Sequence, residues 1–460
     1  MKRITILVLF FALVLTATAC QPKSRPGLVL FGDATATPEP ANTTVQGVWQ
    51  TAGVGGVLEV KGTTVNFYMA TRKTCFKQET IDLKVVLNQV FQGAIPVGSL
   101  TQEGDRMTFT NRFSGESTTY QRLDTLPESC LNIDEKLADD PVYNYEGFWN
   151  SFNENYPFFA LREVDWQKQY DRFISQVDED TTDTELSFVY RDMLTELKDC
   201  GAFVVRFNSE ESPYEYPKDW VTIRAEIPRT VQKKYMIESK WTSTGRMLYG
   251  KLNNRIGYIY IRVLSPQQGE EDNKALLEEL DTAFESLSGV SSLVIDLRSS
   301  PYRTSGSYAL LLASYLVDKE TPAYIRQTRD LSKIDDLSAL TEPETVMIKP
   351  DPDRPVFTRP VYVLTGPLMY AGSEKFALIA SSLPNVTLVG MPTAGCPADS
   401  AYFPLPDGMV AGIPYEITQD IDGKSYDKDG IPPDVPVNMS KDDWLAGRDP
   451  MIEVVLKEAQ

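Results

Sequence analysis

From Lys251 onward the chain alternates between two hydrophobic periodicities, and that alternation restricts its fold more than any other feature. Ile256 to Val263 (IGYIYIRV) is a β-rich run, and Asn273 to Leu287 places Leu276, Leu277, Leu280, Phe284 and Leu287 at helical spacing. Leu293 to Leu297 is again short and apolar, and Tyr308 to Val317 returns to a helical pattern. Val361 to Thr365 reads as a strand, Gly366 and Pro367 as a turn, Phe376 to Leu383 as a helix face, and VTLVG ending at Gly390 as a further strand. Strands separated by helices require right-handed crossovers and a mostly parallel sheet covered on both faces. Residues 251–437 are therefore predicted to form an α/β core. Asp318 to Arg359 interrupts it as a polar, Pro-containing insertion, Phe403 to Val437 closes it with turn-rich hairpins, and 438–460 reads as a C-terminal helix.

The preceding sequence obeys other rules. Across 47–130, short β-rich runs (VLEV, TTVNFYMA, RMTFT, STTYQRL) alternate with turn signals at Lys61-Gly62, Glu103-Gly104-Asp105 and Ser114-Gly115-Glu116, as in a small antiparallel β domain. Cys75 and Cys130 flank most of it and are placed to staple it, two free thiols being the alternative. Trp49, Phe67, Tyr68 and Phe109 are read as core aromatics rather than the lining of a ligand groove. Residues 140–207 then read as helices, with Asp183 as an expected N-cap and the aromatics Phe148, Phe152, Tyr156, Phe158 and Phe159 packing the subdomain. Asn208 to Gly250 is irregular.

Residues 1–19 combine a basic start, an apolar run from Ile4 to Leu15 and small residues at Ala17 and Ala19, the pattern of a secretory signal. The ATAC sequence resembles a bacterial lipobox, which would make Cys20 the lipid-modified first residue of the mature chain and 20–46 a flexible tether. The expected location is the periplasmic or outer face of a membrane. Loss of Lys2 and Arg3 takes the formal charge from −19 to −21, so nucleic acid is excluded as a partner for want of clustered cations. No later run spans a bilayer. Cys75, Cys130, Cys200 and Cys396 are an even number, as disulfides would require, and none of their spacings is that of a metal site. The chain contains no histidine, which removes the commonest zinc ligand and the commonest general base together. No Ser-His-Asp triad can exist, and no metal or other cofactor is implied.

Taken in order, IGYIYIRV, LVIDLR, VYVLTGPLMYAGSE, TLVGMPTAG, FPLPDG and DGIPPDVPV are similar to the S41 peptidases, the tail-specific processing proteases and the tricorn core. The resemblance implies a ClpP- or crotonase-like α/β core, preceded by the family's helical segment, and a serine-type peptidase reaction. In the family the nucleophilic serine stands three residues before an acidic residue and a fixed distance before the glycine of G-x-x-T. Counting back from Glu374 gives Ala371, and Gly390 lies nineteen residues beyond it, the family spacing. The position that supplies histidine in one branch corresponds to Gly201, in Asp199-Cys200-Gly201, and the lysine of the other branch corresponds to Cys396. The glycine-rich oxyanion loop corresponds to Arg298-Ser299-Ser300-Pro301-Tyr302-Arg303.

A hydroxyl is a weak nucleophile until a neighbour takes its proton, and serine, both bases and the glycine loop have departed together. The resemblance thus implies a pseudoenzyme: a family member that keeps the fold and binds polypeptide or a partner protein, with its membrane contact made through the N-terminal lipid. One alternative is a working peptidase with Ser373 as displaced nucleophile, although Lys375, two residues along, does not face it on a helix. A second is that the N-terminal β domain is the functional module and binds envelope material. Because Cys200 and Cys396 both border the family's catalytic cleft, the resemblance also implies a disulfide across it, two unrelated buried thiols being the alternative.

Overall fold

A computed structural model of the chain describes residues 45–51, 55–83, 98–111, 117–206, 209–211, 214–264, 269–299, 306–330, 333, 336 and 338–459. The expected signal (1–19), Cys20 and nearly all of the tether lie outside the described residues. Among the described residues no helix is long and apolar enough to cross a membrane.

The N-terminal strands form one seven-stranded antiparallel sheet in the order Cys75–Asp82, Thr64–Ala70, Gly56–Lys61, Gly47–Thr51, Ser117–Leu123, Arg106–Asn111, Gly98–Glu103. Alternation places Trp49, Leu58, Phe67, Phe109 and Tyr120 in one buried cluster, while Tyr68 packs with Val57, Cys75 and Cys130 in another. The aromatics are core residues. Cys75 and Cys130 are bonded, with their Cα atoms 5.1 Å apart, and pin the outer strand to the segment that leaves the sheet.

Helices Pro141–Asn155, Trp166–Phe173 and Asp183–Thr195 follow, with Phe148 stacked on Tyr190 at 4.0 Å in an aromatic core. The third helix is capped by Thr182 rather than Asp183. The Thr182 hydroxyl accepts from the Glu185 amide at 3.3 Å and the Glu185 carboxylate accepts from the Thr182 amide at 2.9 Å, a reciprocal box that Asp183, one residue inside, cannot make.

The second seven-stranded sheet runs Glu238–Trp241, Met247–Lys251, Ile256–Ile261, Ser292–Asp296, Val361–Thr365, Val386–Gly390, Val435–Pro436. Its first three strands pair antiparallel and the rest parallel. The stretch from Asn208 to Gly250 is therefore more ordered than its sequence implies, holding helices Lys218–Ile223 and Ile227–Lys234 and the hairpin that opens the sheet. The edge strand Glu238–Trp241 has no fully buried residue and so lacks the apolar alternation that would reveal it. Helices Gly269–Ser286, Gly306–Ser314 and Gly372–Ser381 cover one face. Ile227–Lys234 and Pro450–Glu458 cover the other, and the short helix Lys441–Leu445 precedes the latter, so the tail is two helices rather than one.

The polar insertion supplies strands Thr321–Thr328 and Glu344–Ile348, which pair with each other, the first also pairing with Glu416–Gln419 on its other edge. A four-stranded sheet joins Ser400–Pro404 and Val410–Pro414 to Phe203–Arg206 and Ser209–Glu211, tying the helical segment to the α/β core.

At the carboxyl ends of the parallel strands, Arg298 is fully buried between Asp296 and Asp449. Its Nη2 lies 2.7 Å from the first carboxylate and 2.8 Å from the second, and Tyr258 donates to Asp296 at 2.8 Å.

Candidate functional site

The strand Val361–Thr365 ends in a turn whose backbone must pass close to its neighbours. A β-carbon at Gly366 would sit 3.0 Å from the Trp220 ring. Five residues later Ala371 adopts φ 50° and ψ −132°, left-handed φ that disfavours any side chain. Its amide donates to the Cys396 carbonyl at 2.8 Å, and its carbonyl accepts from the Lys375 amide at 2.8 Å as the helix begins. The sharp strand-to-helix turn is intact, and the residue at its apex is a methyl group.

Ser373 stands inside the helix, not at the apex. It is fully buried, and its hydroxyl donates back to the Tyr370 carbonyl at 2.8 Å. Lys375 points elsewhere, its ammonium held by Asp399 at 2.9 Å and by Glu416 in a buried ion cluster. Asp399 also accepts from the Gly306 amide at 3.0 Å, so this lysine fastens the nucleophile-turn helix to the start of Gly306–Ser314.

Glu374 turns from the first turn of the helix toward the loop after Val386–Gly390. It accepts from the Gly395 and Cys396 amides, each at 2.7 Å, and from the Thr393 hydroxyl. Burial pushes its carboxyl up to about 7, and the three donors pull against that. Its task is to shape the loop that carries Cys396.

Both positions at which the resemblance places a base are closed. At Gly201 an added β-carbon would lie 2.7 Å from Pro414 Cγ and 3.1 Å from Ser400 Oγ, so no imidazole fits there. Cys396 is bonded to Cys200, with Cα atoms 6.1 Å apart, so the cleft is bridged where the two bases would stand. Of the oxyanion loop, Ser299 donates to the Tyr260 hydroxyl at 3.0 Å, and residues 300–303 lie outside the described residues.

Apart from Asp199, the groups that surround the bridge carry no chemical signal in the sequence. Asp199 accepts from the Tyr156 hydroxyl at 2.8 Å and from the Gly201 amide at 2.8 Å, and pairs with Arg162 at 3.4 Å. Asp427 is buried close enough for Asp199, Glu374 and Arg162 to act on it, and burial pushes its carboxyl up to about 8. Tyr156 sat in an aromatic run and Arg162 and Asp427 in turns, with no motif to mark them. Asp199, Cys200 and Cys396 place potential ligand atoms within 4.8 Å of one another. The two sulfurs are joined, however, which leaves one carboxylate already occupied, so the set does not fit a metal. On the open side, Tyr214, Tyr216 and Tyr370 form a half-buried aromatic row, with ring centroids 4.8 and 5.1 Å apart.

The chain matches known families over two segments: residues 255–437 match peptidase family S41, and residues 138–195 match the tricorn protease C1 domain. A solved structure from Parabacteroides merdae ATCC 43184, provisionally assigned as a peptidase, is 26% identical with a TM-score of 0.57, over 70% of this chain and 96% of that one. Mature CPAF superposes with a TM-score of 0.52 at 12% identity, over 70% of this chain and 97% of its own, a likeness of fold. No curated protein matches the chain. The mostly parallel sheet and the strand-to-helix turn at Ala371 lie within the matched segment, and the α/β core of this chain is similar to peptidase family S41 over residues 255–437.

Proposed function

We propose that this chain is an exported, lipid-anchored S41-fold protein that binds extended polypeptide without hydrolysing it. The observation that carries the reading is the apex of the turn: Ala371 holds a left-handed backbone with no reactive atom, facing a disulfide where a base would stand. Two disulfides fit an exported protein. The lipid attachment at Cys20 rests on the ATAC sequence. The aromatic row Tyr214, Tyr216 and Tyr370 beside the turn offers apolar faces for side chains of a strand added there. Burial of Ser373, with its hydroxyl returned to the backbone, weighs against a displaced nucleophile. Burial of Trp49, Phe67 and Phe109 weighs against an envelope-binding groove on the β domain.

A fluorophosphonate probe on the purified mature protein tests the reading, with Ser373→Ala as control. The expected result is no stoichiometric labelling of either protein. Labelling that disappears in Ser373→Ala overturns it.

A further inference from the structure

A buried guanidinium is expensive to desolvate and is ordinarily matched by a carboxylate. Arg162 pairs with Asp199, Arg246 with Asp272, and Arg298 with Asp296 and Asp449. Arg329 is the exception among the described buried arginines. It is 8% exposed at the end of strand Thr321–Thr328 and makes no ion pair with a described residue. Its Nη2 donates to the Tyr156 carbonyl at 3.3 Å, and its buried Nε has no hydrogen-bond partner.

Arg329 lines a small cleft of about 30 Å³ between the N-terminal sheet and the end of helix Pro141–Asn155, with Gln50, Gly55, Ala70, Glu154 and Asn155 on the other walls. Asp330, Lys333, Asp336 and Ala339 complete the lining, and its three acids are engaged elsewhere. Glu154 accepts twice from the Arg72 amide, at 3.0 and 3.1 Å, Asp330 pairs with Lys333 at 3.1 Å, and Asp336 accepts from the Ser338 amide at 3.0 Å. Since one water needs roughly 10–15 Å³ measured this way, the cleft holds about two oxygen-sized centres. That is the size of a carboxylate head and too small for a phosphorylated sugar. A guanidinium with a free Nε is the group that engages a carboxylate through two parallel bonds. Burial lowers the affinity of Arg329 for its own proton, with only the charge of Asp336 opposing, as expected of a cation awaiting an anion.

We propose that Arg329 anchors a carboxylate-binding site in the cleft between the N-terminal β domain and the helical segment. The carboxylate comes either from a small free acid or from an acidic side chain of a peptide. The site is separate from the turn at Ala371, and Tyr156 links Arg329, through its carbonyl, to Asp199 beside the Cys200–Cys396 bridge, through its hydroxyl.

Isothermal titration of the full mature chain at constant ionic strength tests this, with acetate, succinate and N-acetyl-glutamate amide as probes in a chloride buffer. The expected result is saturable heat with at least one probe, abolished in Arg329→Met and weakened about tenfold or more in Arg329→Lys, which keeps the charge but loses the fork. Binding of acetate or succinate identifies a small-acid site, and binding of the glutamate derivative alone identifies a peptide side chain. Thermal melts accompany the titrations, and Arg329→Met is expected to melt no lower than the parent because an uncompensated buried charge is removed. Absence of saturable heat with all three probes, or heat that survives Arg329→Met, overturns the proposal. If Arg329→Met fails to fold, undiminished binding by Arg329→Lys overturns it as well.

Discussion

Removing the Cys200–Cys396 bridge isolates what the clamp between the helical segment and the α/β core contributes. The perturbation is Cys200→Ala with Cys396→Ala, two small changes at positions 0% and 3% exposed, so that side-chain clashes do not confuse the result. The bridge closes a loop of 196 residues, for which the chain-entropy relation gives about 18 cal/mol/K, or about 5 kcal/mol at 25 °C. The Cys75–Cys130 loop of 55 residues gives about 4 kcal/mol by the same relation. These are upper values, because a real unfolded chain retains some structure. The loops 75–130 and 200–396 share no residues, so their losses should add. The assay is equilibrium urea unfolding of the parent, each double variant and the quadruple variant, followed by tryptophan fluorescence and far-UV dichroism. The Cys200/Cys396 variant is expected to lose stability equal to or greater than the Cys75/Cys130 variant, with a steeper denaturant slope as the unfolded chain expands. A loss under about 1 kcal/mol for the longer loop would falsify the reasoning, and so would a larger loss for the shorter one.

Installing a serine at the apex, Ala371→Ser, is expected to leave fluorophosphonate labelling at background, because Gly201 has no room for a base and Cys396 is bonded; rapid labelling by this variant alone would show an unseen base. Arg298→Met strands two fully buried carboxylates and is expected to cost about 3–5 kcal/mol in urea unfolding, with part recovered when Asp296→Asn and Asp449→Asn are added. The pH dependence of stability follows from Asp427, Glu374 and Asp407, whose folded-state carboxyls are raised by burial to about 8, about 7 and about 7. The folded protein keeps protons that the unfolded chain releases, so these groups make stability fall as pH rises from about 4 to about 8 and level off above. Melting temperatures across that range check the sign, and Asp427→Asn is expected to flatten the upper part; a rise in stability toward pH 8 would refute the assignment.

The core was legible because its strands and helices bury apolar residues with a regular period, and the turn at Ala371 because its spacing to Glu374 and Gly390 is the one the family resemblance calls for. Both spacings have a physical basis in the structure. Glu374 holds the loop carrying Cys396 through three donors, and at Gly390, φ 137°, a β-carbon would lie 2.3 Å from the Thr365 carbonyl oxygen. What stayed hidden has no period. The hairpin Glu238–Trp241 with Met247–Lys251 opens the sheet at an exposed edge, and the strands at Thr321 and Glu344 sit in a polar stretch. Tyr156, Arg162 and Asp427 converge on Asp199 from three separate segments, and only tertiary packing makes them neighbours. The closed pocket at Gly201 was equally unreadable: the sequence shows a glycine, and only Pro414 and Ser400 show that nothing larger fits.

The Arg298 ion cluster also works as a keystone. Its second carboxylate, Asp449, stands 151 residues beyond Arg298, and the helix that follows contributes Met451, Ile452 and Val455 to the sheet's second face. Without that segment Arg298 keeps only one of its two carboxylates and an apolar face of the sheet lies open, so the centre of the core closes only when both distant stretches are in place.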